Sequence, residues 1–142
     1  MKYFFLLLSL VIPNLTHAQS WEYVASTKSG ERYFIDPETI KRIGPEIKFT
    51  QLSNHPDGFK YDLNIVYSIV THRTANCELN KYKSGYLFAY PELYAQGGIK
   101  VSDFKHDTKW IDVKDGTMAS FMQENVCSRV ILSSLPLAQQ AK

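Results

Sequence analysis

The side chains that could do chemistry in this chain are few and scattered. Ser102 and Lys105 match the serine-x-x-lysine pattern of acyl-serine enzymes, which needs its serine at the start of a helix, whereas here the pattern falls on an extended segment. His55, His72 and His106 are isolated from one another in the sequence, which favours strand or surface histidines over a catalytic or metal site. The sequence therefore predicts no nucleophile that is paired with a base.

Carboxylates and phosphate-binding motifs give no stronger signal. Asp36, Glu38 and Asp62 are the acidic residues that a glycoside hydrolase would need in a pair, but capping and solvated-turn roles account for each of them. The sequence contains no glycine-rich phosphate loop. We therefore expect no enzyme activity, no cofactor and no metal, and we keep a small hydrolase as the last of the alternatives.

A group of lysines and tyrosines is the candidate binding patch. Lys81 and Lys83 flank Tyr82, and Tyr90 and Tyr94 follow in a loop. Alternation along a strand would place both lysines on the solvated face of a sheet, which is the purely structural alternative. Tyrosine offers amphipathic contact area at low entropic cost and is enriched in recognition surfaces. The patch is therefore predicted to consist of Lys81, Lys83, Tyr90 and Tyr94.

The amino-terminal segment predicts export. A short basic start precedes the apolar residues 4–12, a run too short for the roughly 30 Å of membrane hydrocarbon, which needs about 20 residues. The small side chains around Ala18 predict cleavage there, so that residues 1–18 form a signal peptide. Gln19 follows, where a lipoprotein would carry cysteine. We therefore expect a periplasmic, cell-surface or secreted protein that is not a lipoprotein.

Cys77 and Cys127 are the two cysteines of the chain. Disulfides persist in exported proteins, so the two are predicted to be bonded to each other. Free thiols or a metal pair would be the alternatives, but no cysteine or histidine lies close enough to either residue to suggest a zinc site. Closing a loop of this length removes about 4 kcal/mol of unfolded-state entropy.

The composition is that of one globular domain. The 142 residues are 44% hydrophobic and carry 16 Lys+Arg against 14 Asp+Glu, a formal charge of +2, which excludes a strongly basic nucleic-acid binder. No repeat or change of composition divides residues 19–129. Residues 130–142 are predicted to be a tail that adds one short strand and then frays.

The hydrophobic pattern predicts about six strands joined by short connections, and therefore an antiparallel order. The runs are residues 21–25, 32–35, 46–52, 61–76, 79–88 and 99–104. A helical turn is predicted from Pro37 to Ile40 and a loop over residues 54–58. The longest run is predicted to be a central strand, because its second face is only partly polar. Its first face carries Leu63, Ile65, Tyr67 and Ile69.

A single helix is predicted after Thr117, where the hydrophobic period changes. Asp115 or Thr117 would cap it, and it would be about three turns long. Its apolar stripe is Met118, Phe121, Met122 and Val126. A bond from Cys127, at the end of this stripe, to Cys77, at the end of the longest strand, would hold the helix against the sheet.

Several short motifs in this order resemble a known family. They are Tyr33-Phe34-Ile35-Asp36 with Glu38 and Ile40, then Ser68, Asn76-Cys77, Gln96-Gly97 and Val126-Cys127. Over residues 21–129 the chain resembles the surface-adhesin protein E-like domain family of Gram-negative bacteria. The resemblance implies an α+β fold, in which a rolled antiparallel sheet packs against a C-terminal helix that a disulfide ties to it.

The same resemblance implies a function, namely an exported, non-enzymatic binding module that adheres to host extracellular-matrix or cell-surface proteins. The family is basic at two stretches where this chain reads Asp62-Leu63-Asn64 and Val101-Ser102-Asp103. The first alternative is a periplasmic structural or accessory subunit of a cell-envelope assembly. The expected partner is a host matrix protein or an envelope protein, with a homodimer as a further option, and neither nucleic acid nor a membrane anchor is expected.

Overall fold

Residues 19–104 and 109–134 are described by the structure, which is a computed structural model, with the side chains of residues 132–134 excepted. The predicted signal peptide and the end of the predicted tail, residues 135–142, lie outside the described residues, as do Lys105 and His106. Within the described part of the chain, no helix has both the length and the apolar character needed to cross a membrane.

Within the described residues, seven strands form one antiparallel sheet in which β1 to β6 follow one another in chain order and β7 pairs with β5. The sheet is open, with β1 at one edge and β6 and β7 at the other, and one long helix follows it. The predicted antiparallel sheet with a C-terminal helix is therefore confirmed. The elements are β1 (Glu22–Ser26), β2 (Arg32–Ile43), β3 (Glu46–Tyr61), β4 (Asn64–Asn76), β5 (Lys81–Tyr90), β6 (Val101–Asp103), β7 (Ile111–Asp112) and α1 (Met118–Ser134).

The helical turn predicted after Asp36 is wrong, because β2 continues through this segment with a register shift between Asp36 and Lys41. Pro37 lies inside that irregularity, where its missing N–H costs no ladder hydrogen bond. The hydroxyl group of Thr39 donates to the Asp36 carbonyl oxygen and accepts from the Thr50 N–H at 2.9 Å. Residue types that would cap a helix serve here to complete a bulge.

The loop predicted over residues 54–58 is likewise part of a strand. β3 runs to Tyr61, with a register shift between Asn54 and Phe59, and the chain reverses one step later at Asp62, whose φ is 52°. The turn-forming residues therefore produce a bulge within a long hairpin. Leu63 at the tip of this hairpin is 96% exposed.

β4 is a central strand, as predicted, with β3 on one side and β5 on the other. In the first half of β4 the buried face is the one that carries Val66, Ser68 and Val70, whereas Leu63 and Ile65 are exposed. Hydrophobicity alone favours the face with Leu63 and Ile65. Leu63 and Ile65 are exposed in spite of their hydrophobicity because the hairpin tip extends beyond the elements that cover the sheet.

Two hydrophobic cores lie on opposite faces of the sheet, since neighbouring residues of a strand point to opposite sides. The first core lies under α1 and consists of Ile35, Ile47, Phe49, Ala75, Met122 and Val126. The second consists of Phe34, Leu52 and Val70, with Trp21, Tyr90 and Ala95 packed against it. The sheet is thus covered on both sides in its middle part.

Helix α1 is longer than predicted. It begins after Thr117, whose hydroxyl group accepts from the Ser120 N–H at 3.3 Å, so Thr117 is the cap. It continues to Ser134, so residues 130–134 are helical and the short strand predicted for them is wrong. Phe121, predicted in the apolar stripe, is exposed. The predicted disulfide between Cys77 and Cys127 is present, with the two Cα atoms 6.0 Å apart.

Candidate functional site

The two lysines of the predicted patch lie at the start of β5 and are engaged in local contacts. Lys81 Nζ is 3.5 Å from Asp112 Oδ1, and Lys83 Nζ is 3.5 Å from Glu46 Oε1. Lys83 Nζ also lies 4.4 Å from the ring centroid of Trp110. Both positive charges are therefore partly neutralised within the chain.

The two tyrosines lie at the other end of β5. Tyr90 packs against the second core, and burial raises the pKa of its hydroxyl group. The ring centroid of Tyr94 is 5.5 Å from that of Phe34. A rise of about 3.3 Å per residue separates the two ends of β5 by about 30 Å. The structure therefore does not bring Lys81, Lys83, Tyr90 and Tyr94 into one surface.

The remaining sequence candidates are also dispersed. Ser102 is an exposed residue of β6, on extended backbone as expected, and Lys105 and His106 lie outside the described residues. Asp36 is buried at the bulge of β2, and Asp62 occupies the turn between β3 and β4. Among the described residues, no group of three or more histidine, cysteine or acidic side chains could hold a metal ion.

One nucleophile is nevertheless paired with a base, contrary to the prediction. Ser53 Oγ lies 3.1 Å from His55 Nε2, and His55 Nδ1 lies 3.3 Å from Glu31 Oε1. Alternation within β3 places Ser53 and His55 on the same face. The prediction of a loop over residues 54–58 missed this relationship. Glu31, which precedes β2, joins them only in the folded protein. A serine that contacts a histidine, which in turn contacts a carboxylate, is the arrangement of an acyl-transfer triad.

The surroundings of this serine do not support hydrolysis. Ser53 is 6% exposed and pairs with Tyr33 on one side and Ile69 on the other, so its backbone N–H is committed to the sheet. An acyl-transfer site needs free N–H donors beside the nucleophile to stabilise the oxyanion. In the middle of a sheet such donors are used by the neighbouring strands. The hydrogen-bonded chain instead links β3 to the segment before β2.

Four rings form an aromatic surface at the β6 edge of the sheet, namely His72, Tyr86, Phe88 and Phe104. The ring centroids of His72 and Tyr86 are 4.1 Å apart, and that of Phe104 lies 5.8 Å from Phe88 and 6.0 Å from Tyr86. Phe104 is 70% exposed and Tyr86 is 43% exposed. The alternation of Tyr86 and Phe88 on β5 indicates that these two rings share a face. The contact of both rings with Phe104 depends on how β6 pairs with β5.

A basic groove of about 470 Å³ runs beside the aromatic surface, with His72 and Tyr86 in both. Its described lining includes three cationic side chains and one carboxylate, namely Lys41, Lys48, Arg73 and Glu38. The two lysines stand directly opposite each other on β2 and β3. Like charges in opposed positions repel each other, and neither lysine forms an ion pair with a residue that the structure describes. Burial lowers the pKa of His72. The groove therefore offers a local positive charge next to exposed rings.

Comparisons with known proteins agree with this fold. A sequence model of the family described as surface-adhesin protein E matches residues 21–128. No curated protein matches the chain with significance. A crystal structure of protein E from non-typeable Haemophilus influenzae has a TM-score of 0.60 at 18% identity, covering 84% of each chain. Crystal form II of Haemophilus influenzae protein E has a TM-score of 0.58 at 17% identity, covering 68% of this chain and 80% of that chain. At these identities the structural likeness shows a shared fold.

Proposed function

The chain belongs to the surface-adhesin protein E family, and on that basis we propose that it is an exported binding protein that adheres to host extracellular-matrix or cell-surface proteins. The family makes it an adhesin-like surface protein. The proposal includes removal of residues 1–18 and a mature chain that starts at Gln19 without an acyl group. Mass analysis of the mature amino terminus tests this part, and an uncleaved or lipidated terminus would contradict it.

The aromatic surface is the observation that supports a binding role. A contiguous exposed apolar patch is typical of an interaction site, and aromatic residues dominate the energetic centres of protein interfaces. Tyr86 and Phe104 are the exposed members of the surface, and Lys41 and Lys48 lie in the adjoining groove. This arrangement suits a protein partner that presents an apolar side chain flanked by acidic residues.

The test compares two double variants for binding to purified extracellular-matrix proteins on a sensor surface, with an envelope extract run alongside. Replacing Tyr86 and Phe104 by alanine should weaken binding by more than about 1 kcal/mol, the usual threshold for a consequential interface residue. The thermal midpoint should fall less than in the control variant described below, because Phe104 is 70% exposed whereas Tyr90 packs against the second core. Unchanged affinity for every partner that the native protein binds would contradict the proposal.

The matched control replaces Tyr90 and Tyr94 by alanine. These rings pack against the second core, so this variant should lose several degrees of thermal stability while the folded fraction binds as before. Binding that is lost in this variant alone would restore the patch predicted from the sequence. In that case, replacing Lys81 and Lys83 by alanine should slow association chiefly at low salt, because rim charges mainly affect the association rate.

A periplasmic accessory subunit of a cell-envelope assembly remains the second candidate function, favoured by the formal charge of only +2. Cell fractionation separates the two proposals. Protein at the cell surface supports adhesion, whereas complete release by osmotic shock supports the periplasmic role.

A further inference from the structure

Arg73, on β4, is a partly buried cation without a carboxylate beside it. Its Nη1 atom donates to the hydroxyl group of Ser84, and its Cζ atom lies 5.2 Å from the ring centroid of Tyr82. Its Nε atom is fully buried and has no hydrogen-bond partner. No ion pair among the described residues includes Arg73. This guanidinium therefore lacks one acceptor, and an unpaired donor on a buried charge is costly in free energy.

Gln123, on α1, is short of one donor. The residue is 6% exposed, and its Nε2 atom donates to Asn80 Oδ1 at 3.1 Å and to the Asn76 carbonyl oxygen at 3.4 Å. Two acceptors around the nitrogen fix the orientation of the amide, because a flipped amide would place oxygen against oxygen. The Oε1 atom of Gln123 is consequently the free end, and it is buried without a partner.

Both residues line one cavity of about 190 Å³ between the sheet and the first turns of α1. The rest of the wall is largely apolar and includes Tyr33, Phe49, Tyr82, Met118 and Met122. Arg73 is the one charged side chain among the described residues that line it. An apolar cavity with a few polar groups that lack partners is the usual form of a small-molecule site.

We propose that this cavity binds the carboxylate end of an N-acylated amino acid with an apolar side chain, a chemistry shared by a free N-acyl amino acid and the carboxyl terminus of a peptide. A planar carboxylate matches the guanidinium of Arg73, and one negative charge balances its one positive charge. The amide N–H next to the carboxylate supplies the donor that Gln123 Oε1 lacks. A free α-amino group would bring a second charge that has no counter-ion among the lining residues.

The size of the cavity agrees with this class of ligand. Pockets for drug-sized molecules have volumes of about 300 Å³ or more, so a cavity of about 190 Å³ takes one amino-acid residue. The methionine and aromatic walls provide an apolar, adaptable contact for its side chain. The cavity shares no lining residue with the aromatic surface, although Arg73 and Phe49 also line the basic groove beside that surface. The proposal does not rest on adhesion, because a small-molecule probe tests it directly.

The test uses the disulfide-bonded protein with N-acetyl-L-phenylalanine as the probe, and the corresponding amide and unacylated L-phenylalanine as controls. Titration calorimetry should detect binding of the acylated acid, and binding should be at least tenfold weaker for each control. The methyl NMR signals of Met118 and Met122 should shift with the acid. Equal binding of the amide, or no methyl shift at saturating acid, would overturn the proposal.

A tetrapeptide that ends in phenylalanine distinguishes the two sources. Binding as tight as that of the acid, abolished by amidation of the carboxyl terminus, identifies a chain end as the occupant. Weaker binding of the peptide identifies a free small molecule. Either result supports the carboxylate site.

Two substitutions separate ligand binding from a structural role. Arg73→Met should abolish binding of the acid and, because it removes an incompletely paired charge, should raise the thermal midpoint of the ligand-free protein. Gln123→Leu should weaken binding at least tenfold with a smaller effect on the midpoint. A lower midpoint for Arg73→Met, together with unchanged affinity in Gln123→Leu, would show that the two side chains serve the fold alone.

Discussion

The hydroxyl oxygen of Ser68 accepts a hydrogen bond of 2.9 Å from the backbone N–H of Ala95, 27 residues later in the chain. The same hydroxyl group donates to the Glu92 carbonyl oxygen at 2.6 Å, and Asn54 Oδ1 accepts from the Tyr94 N–H at 2.9 Å. Ser68 and Asn54 are buried side chains of the sheet. The segment that follows β5 is therefore fastened to the sheet, which holds the ring of Tyr94 against Phe34 while leaving it 41% exposed.

Ser68→Ala should lower the free energy of unfolding by about 2 to 4 kcal/mol, because it leaves a carbonyl oxygen and an N–H without partners in a buried place. Urea denaturation measures the change. Ser102→Ala is the control, since Ser102 is exposed and its substitution should cost less than about 0.5 kcal/mol. Equal stabilities of the two variants would mean that solvent replaces Ser68 at no cost.

Gly97→Ala should destabilise the protein more than Gly98→Ala. Both glycines have positive φ, 83° and 77°, and alanine costs about 1 to 2 kcal/mol in that region. A Cβ atom at Gly97 would also come within 2.8 Å of Pro91 Cγ and Glu92 Oε1, whereas at Gly98 it would meet nothing within 4 Å. We expect Gly97→Ala to cost at least about 1 kcal/mol more, measured by urea denaturation. Similar values for both variants would show that Pro91 moves aside freely.

Removal of the disulfide, by replacing Cys77 and Cys127 with alanine, should lower the free energy of unfolding by about 4 kcal/mol, because the unfolded chain regains the freedom of a 50-residue loop. Urea denaturation of the variant and of the reduced native protein should agree. A native protein whose unfolding midpoint does not respond to reductant would contradict the expectation.

Acidification should destabilise the protein through His72. Burial lowers the pKa of His72 in the folded state, so the unfolded chain takes up a proton at higher pH than the folded protein does. The contribution of His72 is complete above the unfolded value of about 6.5 and is lost as the pH falls below it. Unfolding free energies at pH 7.5, 6 and 5 measure this loss, and His72→Gln should make the dependence shallower. An identical pH dependence in the variant would assign the effect to other groups.

The serine and histidine of β3 show why a site of this kind could not be predicted from the sequence alone. Ser53 and His55 share a face because β3 continues through the segment that was predicted to be a loop, and Glu31 reaches His55 only through the pairing of β2 with β3. In the same way, Arg73 and Gln123 are 50 residues apart in the chain and meet at a cavity that only helix docking creates. Local patterns carry no information about such contacts.

The segment around Pro37 shows why part of the fold could not be predicted from the sequence. The run of aspartate, proline and glutamate is a helix-start signal, yet β2 continues through it because Thr39 supplies the hydrogen bonds that a bulge requires. Whether such a segment forms a helical turn or a bulged strand depends on the neighbouring strand, with which Thr39 bonds through the Thr50 N–H. The conformation of this segment is therefore decided by the tertiary contact and not by its local propensity.

The sequence by itself determined the antiparallel order of the strands, the existence of the helix and the pairing of Cys77 with Cys127. Short connections between apolar runs allow little else, and an exported chain with two cysteines has one internal pairing. Only the tertiary structure decided that Val66, Ser68 and Val70 are buried while Leu63 and Ile65 are exposed, and that Phe104 joins the rings of β5. Alternation defines two faces but does not say which is covered, and a shift of one residue in register exchanges them.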